Sequence, residues 1–191
     1  MGAPYFMIRQ LCEAQGVRVF SSNDTLYGDM SARINAIYRD ATPDVEVYSI
    51  DESFLDLTGF VRRDRVALAR DIRATVRAWT GIPTCVGLGP TKTLAKLANH
   101  IAKSVPELDG VCDLTEPAAH EHWLCRIHVG ELWGVGRASL PKLEAMGIDT
   151  VADLRDIDPR PVRKALTVVG ERMIHDLRRL LPRARTGAGA A

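Results

Sequence analysis

The sequence of 191 residues lacks any apolar run that approaches the roughly 20 residues needed to cross a bilayer. Its start also lacks the basic segment and apolar core of a secretory signal peptide. The four cysteines are far apart and form no C-x-x-C pair, which argues against a structural zinc site and a disulfide framework. We therefore expect a globular protein that resides in a reducing cytoplasm and has no membrane partner.

Histidine is also scarce, and two of the five histidines stand in the tripeptide His120-Glu121-His122. This tripeptide has the residue types of a metal site, but it does not have the spacing of a known set of zinc ligands. The pattern favours an exposed loop.

The net charge is only +1, but the two signs are unevenly distributed. Residues 1–125 carry 13 Lys and Arg against 16 Asp and Glu, whereas residues 126–191 carry 12 against 8. An acidic first part and a basic second part are typical of a metal-using site beside a module that holds phosphates.

Hydrophobic periodicity predicts an α+β fold, in which a mixed or antiparallel sheet is backed by helices. A small all-helical module is expected from Val129 onward, and residues 104–125 look loop-rich. The predicted elements are a strand at 17–20, a helix at 24–40, a hairpin at 45–58, a helix at 63–79, a strand at 84–88 and a helix at 91–103.

The acidic pair Asp51-Glu52 lies between two β-rich runs. Two-residue hairpin turns favour Asn-Gly or Asp-Gly, so an acidic pair in such a turn breaks a local rule, as functional sites often do. Adjacent carboxylates repel each other and are hard oxygen ligands suited to Mg²⁺. A solvated hairpin tip is the alternative, and these residues alone leave both interpretations open.

A second candidate site begins at the Gly87-Leu88-Gly89 turn, which precedes the predicted helix at 91–103. A helix that opens behind a glycine turn can offer backbone N–H groups to an anion. One stripe of this helix carries Lys92, Lys96, Asn99 and Lys103, so we expect it to face a triphosphate or a nucleic-acid backbone; a solvated lysine face is the alternative. The G-x-x-x-x-G-K-[ST] motif of P-loop proteins is absent.

The third candidate site is Gly134-Val135-Gly136, followed by Arg137, between two short predicted helices. This pattern is typical of a helix-hairpin-helix motif, whose glycines let the backbone approach DNA phosphates. Gly147 is expected to end the second helix and Asp149 to cap the next one. A plain helical hairpin remains the alternative.

Three segments together resemble the palm and thumb of Y-family translesion DNA polymerases, and specifically the UmuC branch. They are VYSIDESFLDLTG at 47–59, VGLGPTKTLAKLANHIAK at 86–103 and ELWGVGRAS at 131–139. The resemblance covers about residues 1–180. It implies a remnant of the fingers at 1–20, a catalytic palm at 21–125, a helix-hairpin-helix thumb at 126–181 and a disordered tail at 182–191.

The resemblance also implies a role for each candidate residue in error-prone, template-directed DNA synthesis of the SOS-repair type. Asp51 and Glu52 match the palm carboxylates that serve two Mg²⁺ ions. Lys96, with Lys92 beside it, matches the lysine that contacts the phosphates of the incoming nucleotide. Gly134, Gly136 and Arg137 match the thumb segment that holds DNA, whereas Asp56 matches no metal ligand and is expected to cap or pair locally.

Parts of the family pattern have no counterpart in this sequence. These are the first strand with a third metal-binding aspartate, most of the fingers, and the C-terminal little-finger domain with any clamp-binding tail. We therefore expect a sheet with an unpaired edge, poor solubility and little or no activity from this chain alone. The alternative function is a non-catalytic DNA-binding remnant that uses only the helix-hairpin-helix.

The partners implied by the resemblance are primer–template DNA and a deoxynucleoside triphosphate. An accessory subunit of the UmuD type, a RecA filament and a sliding clamp are implied as well, although the clamp-binding region has no match here. These partners would place the protein at the nucleoid in the cytoplasm.

Overall fold

The computed structural model describes residues 3–60 and 64–179, so the predicted tail at 182–191 lies outside the described residues. The helices are α1 (Tyr5–Ala14), α2 (Asp24–Ala41), α3 (Arg65–Thr80), α4 (Lys92–Ser104), α5 (Pro117–Leu124), α6 (Leu140–Glu144), α7 (Val151–Asp156) and α8 (Pro159–Arg178). The strands are β1 (Val45–Val47), β2 (Ser53–Leu55), β3 (Val86–Leu88) and β4 (Val111–Asp113). Short 3₁₀ turns lie at Pro106–Leu108 and Val129–Glu131.

The strands form two separate two-stranded sheets, and the predicted α+β class is confirmed. β1 and β2 pair antiparallel with Val45 opposite Leu55, whereas β3 and β4 pair parallel with Val86 opposite Val111. A cleft of about 850 Å³ is lined by residues of both sheets. Within the described ranges no strand joins the two sheets across it.

The predicted helices begin and end where local chemistry favours it. Asn23 caps α2 by accepting a hydrogen bond from the N–H of Leu26. The carboxylate of Asp64 caps α3 by accepting hydrogen bonds from two backbone N–H groups. The helix is followed by Gly81, which adopts the left-handed conformation with a φ of 75°. Thr91 caps α4 through the N–H of Leu94. The helices expected at 24–40, 63–79 and 91–103 are thus confirmed to within two residues at each end, although residue 63 itself is not described.

The main hydrophobic core extends from α4 into the C-terminal helices. The buried face of α4 contains Leu94, Leu97 and Ile101, which belong to one cluster with residues of α7 and α8 such as Leu154 and Ile174. Burial of such side chains contributes about 1.5–3 kcal/mol each. The predicted division at residue 126 between palm and thumb remains a prediction, and the two segments pack directly against each other.

Two of the predicted elements are wrong. Residues 17–20 do not form a strand but an exposed segment without regular structure, because no other strand in the described ranges pairs with them to form a ladder. Residues 104–125 are not mainly loop, since they contain β4 and α5. The apolar pair Val111-Cys112 is buried beside β3, as parallel strands usually are.

The cap expected at Asp149 is formed by the next residue instead. The hydroxyl of Thr150 accepts from the N–H of Asp153, and the carboxylate of Asp153 accepts from the N–H of Thr150. This reciprocal capping box satisfies two donors at the start of α7. Gly147 has a φ of 74°, and its N–H bonds the carbonyl of Glu144 at the end of α6, as expected.

His120 is also not in an exposed loop. It lies in α5 and is only 2% exposed, and its Nε2 atom has no hydrogen-bond partner within the described part of the chain. Burial lowers the pKa of His120, the nearby Arg155 lowers it further, and Glu121 opposes this change. Among the described residues no cluster could hold a metal ion, and no helix combines the length and apolarity needed to span a membrane.

The buried imidazole predicts that stability depends on pH near neutrality. The pKa of His120 is lower in the folded chain than in the unfolded chain, so protonation favours unfolding as the pH falls below about 6.5. We expect the urea midpoint to fall between about pH 7.5 and 5.5, and His120→Leu to reduce this dependence. The exposed His122→Leu serves as the matched control. An equal slope in the His120→Leu variant would contradict the prediction.

Candidate functional site

The acidic pair does not occupy a two-residue turn. β1 ends at Val47 and β2 begins at Ser53, so the loop runs over the five residues 48–52. The carbonyl of Glu52 accepts hydrogen bonds from the N–H groups of Tyr48 and Ser49, both at 3.0 Å, and no residue of the loop has a positive φ. The argument from poor turn chemistry is therefore wrong, because a longer loop places no special demand on residues 51 and 52. Any functional role rests on what their side chains contact.

The two carboxylates have different partners. Asp51 is exposed, and its Oδ1 accepts a hydrogen bond of 2.8 Å from the hydroxyl of Ser49. Glu52 is partly buried, and its Oε2 accepts a bond of 2.7 Å from the ammonium of Lys96 in α4. A protein cation thus offsets part of the repulsion between the adjacent charges.

Two of the three lysines of α4, Lys92 and Lys96, reach the hairpin. Lys96 is one turn after Lys92, and the two ammonium groups pair with Glu52 and Glu46 respectively. The side chain of Lys96 is only 21% exposed, whereas that of Lys92 is 49% exposed. The two ion pairs connect α4 to both sides of the hairpin. Lys103 remains exposed at the far end of the helix.

An aromatic cluster that the motif analysis missed surrounds these lysines. The rings of Tyr48, Phe54 and Trp133 lie with their centroids 5.5–6.1 Å apart. The ammonium of Lys96 lies 5.3 Å from the ring of Tyr48 and 5.1 Å from that of Trp133, and Lys92 lies 5.1 Å from Phe54. Cation–π contacts at these distances favour fixed ammonium positions. The sequence could have indicated this cluster, because the aromatic residues Tyr48 and Phe54 flank the acidic pair.

The glycine turn before α4 serves close packing. A Cβ atom at Gly87 would lie 2.2 Å from the carbonyl oxygen of Ala95, and one at Gly89 would lie 2.6 Å from the amide nitrogen of Ala95. Only glycine therefore allows β3 and α4 to approach so closely. Asn99, which was predicted on the phosphate-facing stripe, instead donates to the carbonyl of Cys85 just before β3. Its role here is to hold the strand against the helix.

The segment at 132–137 forms an exposed turn that is anchored in the core. Leu132 is 2% exposed, and its carbonyl accepts from the N–H of Val135. Gly134, the third residue of this turn, has a φ of 96°, as a type II turn requires. Gly136 has no such constraint, since a Cβ there would meet nothing within 4 Å. Arg137 is exposed, and its side chain forms no hydrogen bond or ion pair with any other residue that the structure describes.

The structure therefore brings two of the three candidate sites into direct contact and the third beside them. Glu52 bonds to Lys96, and Trp133, next to Gly134, packs on both the hairpin and Lys96. Asp56 behaves as expected of a local cap: its carboxylate accepts from the N–H and hydroxyl of Thr58. These bonds hold the pKa of Asp56 below its usual value.

The sequence of this chain is similar to those of several known proteins. Residues 1–100 match the impB/mucB/samB family. Protein UmuC of Salmonella typhimurium is 45% identical over 179 residues, which cover 93% of this chain and 42% of that protein. Protein MucB of Escherichia coli is 43% identical, with 93% and 43% covered. DNA polymerase IV of Alkalilimnicola ehrlichii is 36% identical, with 73% and 39% covered. The chain spans less than half the length of these curated relatives.

Solved polymerase structures share the fold. The insertion ternary complex of Dbh DNA polymerase superimposes with a TM-score of 0.75 at 23% identity, over 95% of this chain and 52% of that one. A DinB-family error-prone DNA polymerase from Sulfolobus solfataricus superimposes with a TM-score of 0.75 at 24% identity, over 93% and 53%. At such identities the likeness establishes the fold alone.

The two glycines of the exposed turn are expected to differ in their effect on stability. Gly134→Ala places a side chain at a φ of 96° and brings its Cβ within 3.2 Å of the sulfur of Met173, so we expect a loss of about 1–3 kcal/mol. Gly136→Ala is expected to change the free energy of unfolding by less than about 0.5 kcal/mol. Urea unfolding of both variants measures the difference, and equal losses would contradict the assignment of the turn.

Proposed function

Because the chain belongs to the impB/mucB/samB family of Y-family DNA polymerases, we propose that it carries the palm and thumb portion of a translesion enzyme. The reaction of the complete enzyme would be template-directed addition of deoxynucleotides past damaged bases. This chain would contribute the two palm carboxylates Asp51 and Glu52, the lysines Lys92 and Lys96, and the exposed turn at 132–137 that would hold the DNA backbone. Since it spans 42% of its relative UmuC, the activity of the whole protein is part of the proposal.

The hydrogen bond between Glu52 and Lys96 supports this proposal most directly. A carboxylate on one element and a lysine on another are joined at 2.7 Å beside an exposed second carboxylate, Asp51. Polymer-forming phosphoryl transfer needs this combination, with anions to hold metal ions and a cation to meet the transferred phosphates. In the proposed mechanism Lys96 and Lys92 exchange Glu52 and Glu46 for phosphate oxygens of the incoming nucleotide.

The metal requirement is only partly met by the described residues. Asp51 and Glu52 offer oxygen donors of the kind that Mg²⁺ prefers, but no group of three potential ligands exists in the described ranges. On their own the two carboxylates do not make up a two-ion centre, which needs a further carboxylate. When bound, Mg²⁺ would neutralise charge on the phosphates and activate the attacking hydroxyl. We therefore propose that the chain alone is weakly active or inactive.

The thumb portion is proposed to hold the primer–template backbone through its exposed turn. Gly136 and Arg137 are accessible, and an unhindered backbone next to a guanidinium suits phosphate oxygens without reading the base sequence. Gly134 shapes the turn that presents them. The other partners implied by the resemblance, the UmuD-type subunit, RecA filament and sliding clamp, belong to the same proposal, as does a cytoplasmic location.

A second candidate function is DNA binding without catalysis. The absence of a three-ligand group in the described ranges favours it for this chain in isolation. Both functions entail binding to primed DNA that weakens as salt rises, since phosphate contacts release counterions. They differ in the role of Asp51, because a purely DNA-binding chain has no use for that carboxylate.

Primer extension distinguishes the two functions. The preceding N-terminal segment of the 45% identical UmuC would be fused to this chain and assayed on a primed abasic template with Mg²⁺. We expect extension by the fusion, with Asp51→Ala reducing the rate by at least about 100-fold because a metal-binding carboxylate is lost. The exposed Asp40→Ala is the matched control. Primed-DNA binding without extension in the unaltered fusion would favour the second function.

A further inference from the structure

Trp133 lies where the exposed turn meets the acidic hairpin. It is the second residue of the turn closed between Leu132 and Val135, and it directly precedes Gly134. Its ring meets that of Tyr48 edge-on, with centroids 5.5 Å apart and planes at 89°. The same ring lies 6.1 Å from Phe54 and 5.1 Å from the ammonium of Lys96.

The backbone of Trp133 thus belongs to the proposed DNA-binding turn, whereas its ring belongs to the cluster around Lys96. Leu132 lies in the main core and Val135 packs against it, so both ends of the turn are anchored. The ring instead covers Lys96, which also bonds to Glu52. A rotation of the turn at Gly134 therefore changes the position of the ring against the ammonium. Trp133 is also the only aromatic residue of the turn at 132–137.

We infer that Trp133 is a positioning residue that couples DNA binding at the exposed turn to the placement of Lys96 and Glu52. The inference rests on the proposed function, since it takes the turn as the DNA contact and Lys96 as the phosphate contact. Bound DNA reorients the turn, the indole moves against Lys96, and the ammonium is released towards the nucleotide. Such coupling is reciprocal, so nucleotide binding tightens the hold on DNA by the same factor.

The physical basis is the confined position of the Lys96 ammonium. Two rings and one carboxylate surround it, and the side chain is 21% exposed. Cation–π attraction depends on the ammonium lying over the ring face. A small displacement of the indole therefore changes how strongly the ring attracts the Lys96 ammonium relative to the carboxylate of Glu52. Lys92 contacts Phe54 and Glu46 but not Trp133, so it serves as an internal reference.

The test follows the Lys96 signal directly, without a nucleotide. Lysines of the 191-residue chain would be ¹³C-dimethylated, which preserves their charge, and the Lys96 signal assigned by its loss in Lys96→Arg. A primed DNA duplex is then titrated at low salt. We expect the Lys96 signal to shift with DNA in the wild type and in the control variant Trp79→Leu, because Trp79 is 72% exposed in the wild type. In Trp133→Leu the shift should be lost while DNA affinity changes by less than about fivefold.

Each outcome bears on the inference. A Lys96 shift that persists in Trp133→Leu means that DNA reaches Lys96 directly and overturns the inference, as does DNA binding with no shift in the wild type. If the wild-type chain binds no primed DNA, the proposed function is overturned and the inference with it. Should Trp133→Leu not fold, Trp133→Phe replaces it: a smaller ring at the same place should retain a reduced shift, and an unchanged shift would contradict the coupling.

Discussion

The close approach of α4 to β3 is the constraint on which the candidate site depends. At Gly87 a single added carbon would lie 2.2 Å from the backbone of α4, so this packing exists only because the strand presents no side chain there. The approach brings the lysine-bearing face of α4 to the hairpin and lets the opposite face enter the main core. The C-terminal helices complete that core, which positions Trp133 beside Lys96. The local geometry of the site is thus a consequence of one helix seated on one strand.

Two carboxylates of the site, Glu46 and Glu52, each pair with a lysine of α4. Exposed ion pairs such as Glu46 with Lys92 contribute little to stability, about 0–1 kcal/mol, so exchanging such a partner for a phosphate costs little. The pair of Glu52 and Lys96 is less exposed and is flanked by aromatic rings, which keeps its groups in fixed positions. The pair of Glu46 and Lys92 is therefore easily exchanged, whereas the pair of Glu52 and Lys96 is well ordered.

Several features of the fold and the site were predictable from the sequence because they depend on local chemistry. The helices α2, α3 and α4 follow from apolar periodicity and capping residues, and the motifs around residues 51, 96 and 134 carry a specific resemblance that the relatives bear out. The strand expected at 17–20 and the loop expected at 104–125 were wrong, because a strand is defined by its neighbours and not by its own composition. The two-residue turn was wrong for a similar reason, since the pairing register set the loop length.

The sequence by itself determined which residue types are available: two adjacent carboxylates, lysines one helical turn apart and glycines where the backbone must approach closely or turn sharply. Only the tertiary structure decided their partners. Whether Lys96 faces solvent or Glu52, whether Asn99 contacts a ligand or Cys85, and whether Trp133 lies in the core or over an ammonium depend on contacts between residues far apart in the chain. Such contacts are set by packing in three dimensions, because the free energy of burying one face of α4 fixes the direction of the other.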